Sequence, residues 1–450
     1  MSSFDRQNEM QRKSDVQISP PWANEPDIPF SSNGLRLSGW EWIGAAIIIS
    51  ALLSLAPAIW RYIEKFEPAT DYRLPSELSN DYWLYSRYAR WVCSHYETLV
   101  IGDSVIWGHY VSENNTLSHH LNEIAGRDRF ANMGVDGIHP AAMEGLLKYY
   151  GRAISGKNVI LHLNPLWMSS DKHDLQIDKE FRFNHPKLVP QFTPKIPCYK
   201  VPYSKRILNV AERYIPFLSW SSHLKISCFE NMDLPGWTME HPYDNPLRAI
   251  TLNLSVPEGR DYAEHISWTQ KNIPKQDMPF VQLDTSLQWK FFRRSIEILK
   301  ARGNRVFVLV GPFNEHMLKG KSIDTYQKMK NEIETWLLQQ NVPYYMAPPL
   351  PSEFYCDASH PLSEGYSMLA KEIYENEPFR SGILYSGRDS ASSNKAKYFT
   401  FIAQKLAAME KIIDVGHTGR SITPKPGRSL RTSLPCSTAT PTNGSLEISR

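Results

Sequence analysis

The chain of 450 residues has little cysteine and little net charge, and each shortage narrows the range of functions. Five cysteines occur, none in a C-x-x-C pair, so the sequence indicates neither a zinc ribbon nor a dithiol redox centre. A disulfide between Cys198 and Cys228 would require an oxidising compartment. The formal net charge is +3, and no basic stripe interleaved with aromatic residues is present, which argues against nucleic acid as a partner.

Clustered metal ligands are also lacking. The histidines at His119, His120, His162 and His173 fit no spacing that is typical of a metal site, and packing or surface roles explain them better. The sequence therefore predicts neither a metal nor an organic cofactor.

Long apolar runs are missing as well, with one exception near the N-terminus. Residues 43–60, which read IGAAIIISALLSLAPAIW, carry no charge and are about long enough to cross a bilayer as a helix. Tryptophans precede and follow this run, as in an aromatic belt, so we predict a transmembrane helix over residues 39–62. Two alternatives are a buried core helix and a signal peptide cleaved near Ala56-Pro-Ala58.

The orientation of this helix does not follow from its flanking charges. Arg36 lies before it, whereas Arg61, Lys65 and Arg73 lie after it, which by the positive-inside rule leans toward a cytoplasmic domain. Long domains translocate largely regardless of such charges, so the count does not decide the matter.

The remaining chain divides into two tails and one folded domain. Residues 1–38 are polar and contain four prolines, and residues 416–450 are rich in Ser, Thr and Pro, so we predict two disordered tails. Residues 395–415 carry an apolar stripe at helical spacing and predict an amphipathic helix. The folded domain is expected over residues 81–386.

Strand patterns alternate with helical patterns along this domain, which predicts the α/β class. Short buried strands are expected at residues 98–102, 158–164, 305–311 and 342–346. Helices are expected at residues 81–97, 118–125, 141–154, 286–302, 325–340 and 363–375. Such alternation favours a mostly parallel sheet covered by helices on both faces. Residues 165–285, rich in proline and scattered tryptophan, read as a large insertion or cap after the second of these strands.

Several polar residues fall where ligands collect, at the carboxyl ends of the predicted strands. Ser104 follows the first strand, Gly137 ends a turn, Asn164 ends the second strand, and Asp357-Ala-Ser-His360 comes late in the domain. These residues could form an acyl-transfer site in which Ser104 attacks, His360 takes its proton and Asp357 orients the imidazole. The backbone amides of Ser104 and Gly137, with the side-chain amide of Asn164, would form the oxyanion hole.

Each residue also has an ordinary structural explanation. Asp357 could cap the following helix, Gly137 could permit a positive φ angle, and Asn164 needs a hydrogen-bond partner in any buried position. Asp103 is expected to fix its turn by local hydrogen bonds.

The blocks around these residues resemble the SGNH (GDSL-type) hydrolase superfamily. Gly102-Asp103-Ser104 matches its first block, the turn 132–137 its second, and Asp357-Ala-Ser-His360 its last. The third block, normally Gly-x-Asn-Asp, here reads His162-Leu-Asn164-Pro165 and retains only the asparagine. The resemblance covers about residues 96–165 and 303–376. It implies a three-layer, flavodoxin-like α/β/α fold and a serine esterase or acyltransferase that needs no cofactor.

The apolar span, this core and Asn164-Pro-Leu-Trp167 are together loosely similar to the membrane-anchored protein of teichoic-acid D-alanylation and to exopolysaccharide O-acetylation proteins. That likeness implies an extracytoplasmic domain acting on an ester-linked acyl group of a cell-envelope polymer, a polysaccharide or a lipid. Hydrolysis, acyl transfer to a polysaccharide, and a catalytically silent binding or scaffold protein all stay open at this point.

Overall fold

The computed structural model describes residues 37–254 and 265–384 of the chain. The predicted helix at 395–415, the tail at 416–450, nearly all of the tail at 1–38 and part of the insertion lie outside the described residues.

A sheet of five parallel strands forms the centre of the domain, in the order β2-β1-β3-β4-β5. The strands are β1 (Thr98–Ile101), β2 (Phe130–Asn132), β3 (Asn158–Leu163), β4 (Arg305–Val310) and β5 (Tyr344–Met346). Leu99 on β1 pairs with Ala131 on one side and with Val159 on the other. The three central strands are apolar runs buried on both faces, as expected of a covered parallel sheet.

Helices cover the sheet. The α-helices of the described residues are, in chain order, α1 (Gly39–Ile63), α2 (Tyr82–His95), α3 (Ser104–Trp107), α4 (Leu117–Ala125), α5 (Pro140–Tyr149), α6 (Tyr203–Tyr214), α7 (Pro216–Cys228), α8 (Leu234–Glu240), α9 (Pro246–Ala249), α10 (Leu287–Ala301), α11 (Gly320–Gln339), α12 (Ser363–Glu375) and α13 (Glu377–Phe379). Helix α4 packs against α12, and α5 packs against α10. Because parallel crossovers are right-handed and the strand order reverses at β1, these two helix pairs cover opposite faces. The predicted α/β class with a parallel sheet is confirmed.

The elements differ from expectation by more than two residues at three places. Strand β2 was not predicted because its three residues are too few to show a periodic pattern. Helix α5 ends at Tyr149, five residues before the predicted end, and a turn follows it. Helix α11 begins at Gly320 rather than at residue 325, because its polar first turn carries no apolar stripe.

The insertion is more regular than its composition suggests. It contains helices α6 to α9, and no strand is assigned within its described part. Asp174 ties it to the core, because its carboxylate accepts hydrogen bonds from the backbone amides of Leu287 and Gln288, both at 2.9 Å. The hydroxyl of Ser286 donates to the same carboxylate at 2.5 Å. An insertion residue thus completes the N-terminal cap of the core helix α10.

Helix α1 is long and apolar enough to span a membrane, with a mean hydropathy of 2.1 over its most apolar window. Ser38 and Glu41 form a capping box at its N-terminus. Pro57 is its only buried residue, so the alternative of a buried core helix is wrong.

A buried charge cluster, consisting of Glu64, Asp81, Arg87 and His223, joins the end of α1 to the domain. Glu64 follows α1 directly and pairs with Arg87 of α2. The fully buried ring of His223 on α7 lies between two carboxylates, with Nδ1 2.5 Å from Asp81 Oδ2 and Nε2 2.9 Å from Glu64 Oε1. Burial opposes a charge on this ring, but the carboxylates of Asp81 and Glu64 outweigh it and raise the pKa of His223 to about 9. The imidazole is therefore a cation at neutral pH.

We expect His223→Leu to lower the free energy of unfolding by about 3–5 kcal/mol, because it leaves two buried carboxylates without their shared cation. The measurement is denaturant unfolding of the full chain in detergent, with His95→Leu on the exposed face of α2 as control. The wild-type advantage should be complete below about pH 6.5 and should vanish as the pH rises through about 9. Equal stability of the two variants would contradict the role of the charge cluster.

Candidate active site

Ser104 stands at the turn between β1 and α3. The carboxylate of Asp103 caps α3 by accepting a hydrogen bond from Val105 N at 3.1 Å. Gly102 is required before it, because a Cβ atom there would lie 2.3 Å from Cγ1 of Ile106. The serine is only 8% exposed, so its hydroxyl is directed into the protein rather than into bulk water.

Asp357 and His360 lie in the loop between β5 and α12. The Asp357 carboxylate accepts hydrogen bonds from the backbone amides of Ser359 and His360, at 2.9 and 3.0 Å. The carboxylate also contacts His360 Nδ1, which lies 2.9 Å from Oδ1 and 2.8 Å from Oδ2. Asp357 does not cap α12, whose N-cap Leu362 makes no side-chain hydrogen bond, so the helix-cap explanation is wrong.

The structure brings these residues to Ser104, although His360 is 256 positions away along the chain. Nε2 of His360 lies 2.8 Å from the Ser104 Oγ. Because the Asp357 carboxylate accepts hydrogen bonds, Nδ1 of the ring carries a proton, and Nε2 of the neutral imidazole is then free to accept one from the serine.

Charges around the imidazole set its protonation. Burial lowers the pKa of His360, but the carboxylate of Asp357, with smaller contributions from Asp103 and Asp136, raises it above its ordinary value. Burial would likewise raise the pKa of Asp357, but the His360 imidazole and two backbone amides lower it to about 2. Asp357 is therefore ionised throughout the range in which His360 titrates.

Asp103 connects the serine turn to the end of β3. Its Oδ2 accepts hydrogen bonds from Asn164 Nδ2 and Trp167 Nε1, both at 2.8 Å. His162 Nδ1 lies 3.2 Å from its Oδ1, and both side chains are almost fully buried. Burial raises the pKa of Asp103, but contacts with His162 and Asn164 lower it overall. The local turn contact was predicted, whereas the three contacts to residues beyond the turn were not.

A usable signal for these contacts exists in the sequence. Asn164 and Trp167 lie one and four residues after the end of β3, and β3 pairs with β1, which ends two residues before Asp103. Parallel neighbours end at the same edge of a sheet, so polar residues after both strands are expected to meet there.

The predicted oxyanion donors differ in their hydrogen-bond partners. Gly137 adopts a positive φ of 69°, and a Cβ atom there would lie 2.3 Å from Nδ2 of Asn184. Its backbone amide and that of Ser104 donate to no residue that the structure describes, so both are available to a ligand. Asn164 uses one N–H of its side-chain amide on Asp103, and its Oδ1 accepts a hydrogen bond from Leu166 N at 3.0 Å. One N–H of that amide remains for an oxyanion.

The rim of the site contains residues that sequence reasoning missed. The rings of His109 and Tyr110 lie 5.5 and 5.3 Å from the His360 ring. From the insertion, His265 packs 4.8 Å from Tyr110, and the Lys271 ammonium lies 5.1 Å above the Tyr110 ring. No sequence pattern indicated these contacts, because they join the core to an insertion without a recognisable motif.

Two further observations concern metals and thiols. Within residues 37–254 and 265–384, no group of three His, Cys, Asp or Glu side chains is placed to hold a metal ion. All four cysteines of those residues are free thiols, so Cys198 and Cys228 do not form a disulfide.

No family model matches this chain, and no curated protein matches it.

The raised pKa of His360 can be measured directly. Two-dimensional NMR of the histidine ring nitrogens should give a titration midpoint above 6.5, which Asp357→Asn should lower because it removes the adjacent charge. His139 provides an internal contrast, since burial lowers its pKa to about 3 and it should stay neutral over the same range. A His360 midpoint that does not respond to Asp357→Asn would contradict the electrostatic coupling of the pair.

Proposed function

We propose that this protein is a membrane-anchored serine enzyme that cleaves an ester-linked acyl group through an acyl-serine intermediate. The observation that carries the proposal is the hydrogen bond between Ser104 Oγ and His360 Nε2, at 2.8 Å, with Asp357 on the other side of the same ring. A nucleophile, a base and a group that orients the base are the minimum that such chemistry needs.

The reaction would proceed in two halves. Ser104 Oγ attacks the ester carbonyl carbon while its proton passes to Nε2 of His360, and the tetrahedral intermediate places its negative charge on the former carbonyl oxygen. Collapse breaks the bond to the alcohol, which leaves with the proton from His360. Water then repeats the attack on the acyl-serine, and the carboxylic acid is released.

The negative oxygen needs donors that are fixed in place before the reaction. The free backbone amides of Ser104 and Gly137 and the remaining N–H of Asn164 meet this requirement. Because Asp103 holds Asn164, a second role of that buried carboxylate is to position an oxyanion donor.

Membership of the SGNH superfamily is part of the proposal. The strand order β2-β1-β3-β4-β5 is the flavodoxin-like order, and the serine lies after β1 at the point where that order reverses. The chain departs from the superfamily pattern in the third block, where His162 and Pro165 replace the glycine and the aspartate. His162 contacts Asp103. His162 therefore has a structural role beside Asp103. Ser104, His360 and Asp357 are all retained.

The proposed location is a single-pass membrane protein with an extracytoplasmic domain. Helix α1 has the length and hydropathy of a membrane span, while the outward placement depends on the resemblance to cell-envelope acylation proteins. A protease added to intact cells should cut the domain, and complete protection would refute the outward placement. The length of the mature protein would decide between an anchor and a cleaved signal peptide.

We expect Ser104→Ala to abolish labelling by a fluorophosphonate probe and to lower esterase turnover by about 10³-fold or more. The matched control is Ser94→Ala, because Ser94 also contacts a histidine, at 3.0 Å from His95 Nδ1, but lies exposed on α2. Persistent labelling of the Ser104 variant would contradict its role as nucleophile. Folded wild-type protein that no probe labels would favour a silent binding or scaffold protein.

The acceptor of the acyl group can be water or a second hydroxyl, because both use the same residues. We expect a purified protein given an ester donor to release free acid whether or not a polysaccharide is added. Mass spectrometry of the products checks this. Acyl groups that appear on the polysaccharide, and only when Ser104 is intact, would instead establish an O-acyltransferase.

A further inference from the structure

We propose that residues 203–252 of the insertion lie on the bilayer surface beside α1, with apolar side chains in the boundary between headgroups and acyl chains. We call these residues, which comprise α6 to α9, the insertion platform. The inference rests on the proposed membrane span of α1, and its test separates the two.

Helix α6 buries two polar side chains and exposes aliphatic ones, the reverse of the usual pattern on a soluble protein, while Ser204 and Lys205 are exposed in its first turn. Asn209 is buried and donates to Gln191 Oε1 at 2.9 Å, and buried Glu212 pairs with Lys187 at 2.9 Å. On the outer side, Ile207 and Leu208 are 61% and 56% exposed. A fold that satisfies the polar side chains internally and leaves the aliphatic ones outside fits an apolar environment around α6.

The exposed apolar residues concentrate in the insertion platform. Among the residues that the structure describes outside α1, sixteen large apolar side chains are exposed, and ten of these belong to the platform. The ten are Tyr203, Ile207, Leu208, Tyr214, Ile215, Leu234, Met239, Tyr243, Leu247 and Leu252. Single exposed apolar residues are ordinary, but such a concentration within fifty residues of sequence marks a contact surface.

Contacts with α1 fix the height of the platform relative to a bilayer. Trp60, in the last turn of α1, packs against Trp220 of α7 with ring centroids 5.7 Å apart. Lys65, two residues after the end of α1, donates its backbone amide to Leu252 O at 2.8 Å. A helix rises about 1.5 Å per residue, so Trp60 lies about 4.5 Å before the end of α1. Lys65 follows in extended backbone and lies at most about 7 Å beyond that end. If α1 spans the bilayer, α7 and Leu252 lie at the level of the headgroups.

The charge of the platform shows what kind of surface it fits. Residues 203–252 contain five Lys or Arg and five Asp or Glu side chains. The further cation, His223, is fully buried between the carboxylates of Asp81 and Glu64, so the platform offers a bilayer no excess of positive charge. Attachment would therefore come from burial of apolar area rather than from attraction to anionic lipids. A bilayer of zwitterionic phosphatidylcholine is then a sufficient partner.

The test places a genetically encoded fluorescent amino acid at single sites in the full chain, reconstituted at one copy per phosphatidylcholine nanodisc. Probes at Leu208 and Leu247 report on the platform, and a probe at Leu52 reports on the middle of α1. Leu338 is the matched control, since it is 60% exposed but lies on α11. Brominated lipids quench the fluorescence of probes that contact the acyl chains.

We expect the Leu208 and Leu247 probes to be quenched most by bromine near the headgroup and the Leu52 probe most by bromine near the chain ends. The Leu338 probe should not be quenched. If the Leu52 probe is quenched but the Leu208 and Leu247 probes, like the Leu338 probe, are not, the proposed membrane contact of the insertion platform is wrong. The proposed membrane span of α1 would still hold. An unquenched Leu52 probe would overturn the membrane span itself. Protection of Leu208 from water without quenching would indicate a protein partner and would also overturn the proposal.

Discussion

The candidate site depends on one buried carboxylate. Asp103 caps the helix that carries Ser104 and at the same time accepts hydrogen bonds from Asn164 and Trp167, beyond the neighbouring strand. A buried carboxylate without partners would be strongly unfavourable, so these contacts stabilise a single arrangement of the two strand ends. Ser104, its turn and one proposed oxyanion donor are thereby held by the same group.

Much of the α/β framework was predictable because its elements are locally encoded. The apolar runs of β1, β3 and β4 and the apolar stripe of α12 can each be recognised within a few residues. The bounds of α12, Ser363–Glu375, are the predicted ones. Strand β2 could not be found in this way, because it is a strand only through its pairing with Thr98–Val100 of β1. Pairing with β1 therefore determines the conformation of β2, which no local sequence pattern predicts.

The residues that form the candidate site could be predicted from the sequence, but the residues that surround them could not. Ser104, Asp357 and His360 could be named because they stand at strand ends and in motifs, and the structure places them within hydrogen-bonding distance, although their roles as catalysts remain proposals. Tyr110, His265 and Lys271 could not be named, because they meet only when the insertion folds back over the core. Such contacts join distant segments without any shared pattern in the sequence.

The buried charge cluster at Glu64 has a consequence for how this protein would meet its substrate. Since Glu64 follows α1 directly and is held by Arg87 and His223, no flexible linker separates α1 from the domain. If α1 spans a membrane and Ser104 is the nucleophile, the serine would move in a plane parallel to the membrane, at a constant distance from the bilayer. Its encounters would be governed by the number of ester groups per unit area in that plane, and esters above or below it would be passed over.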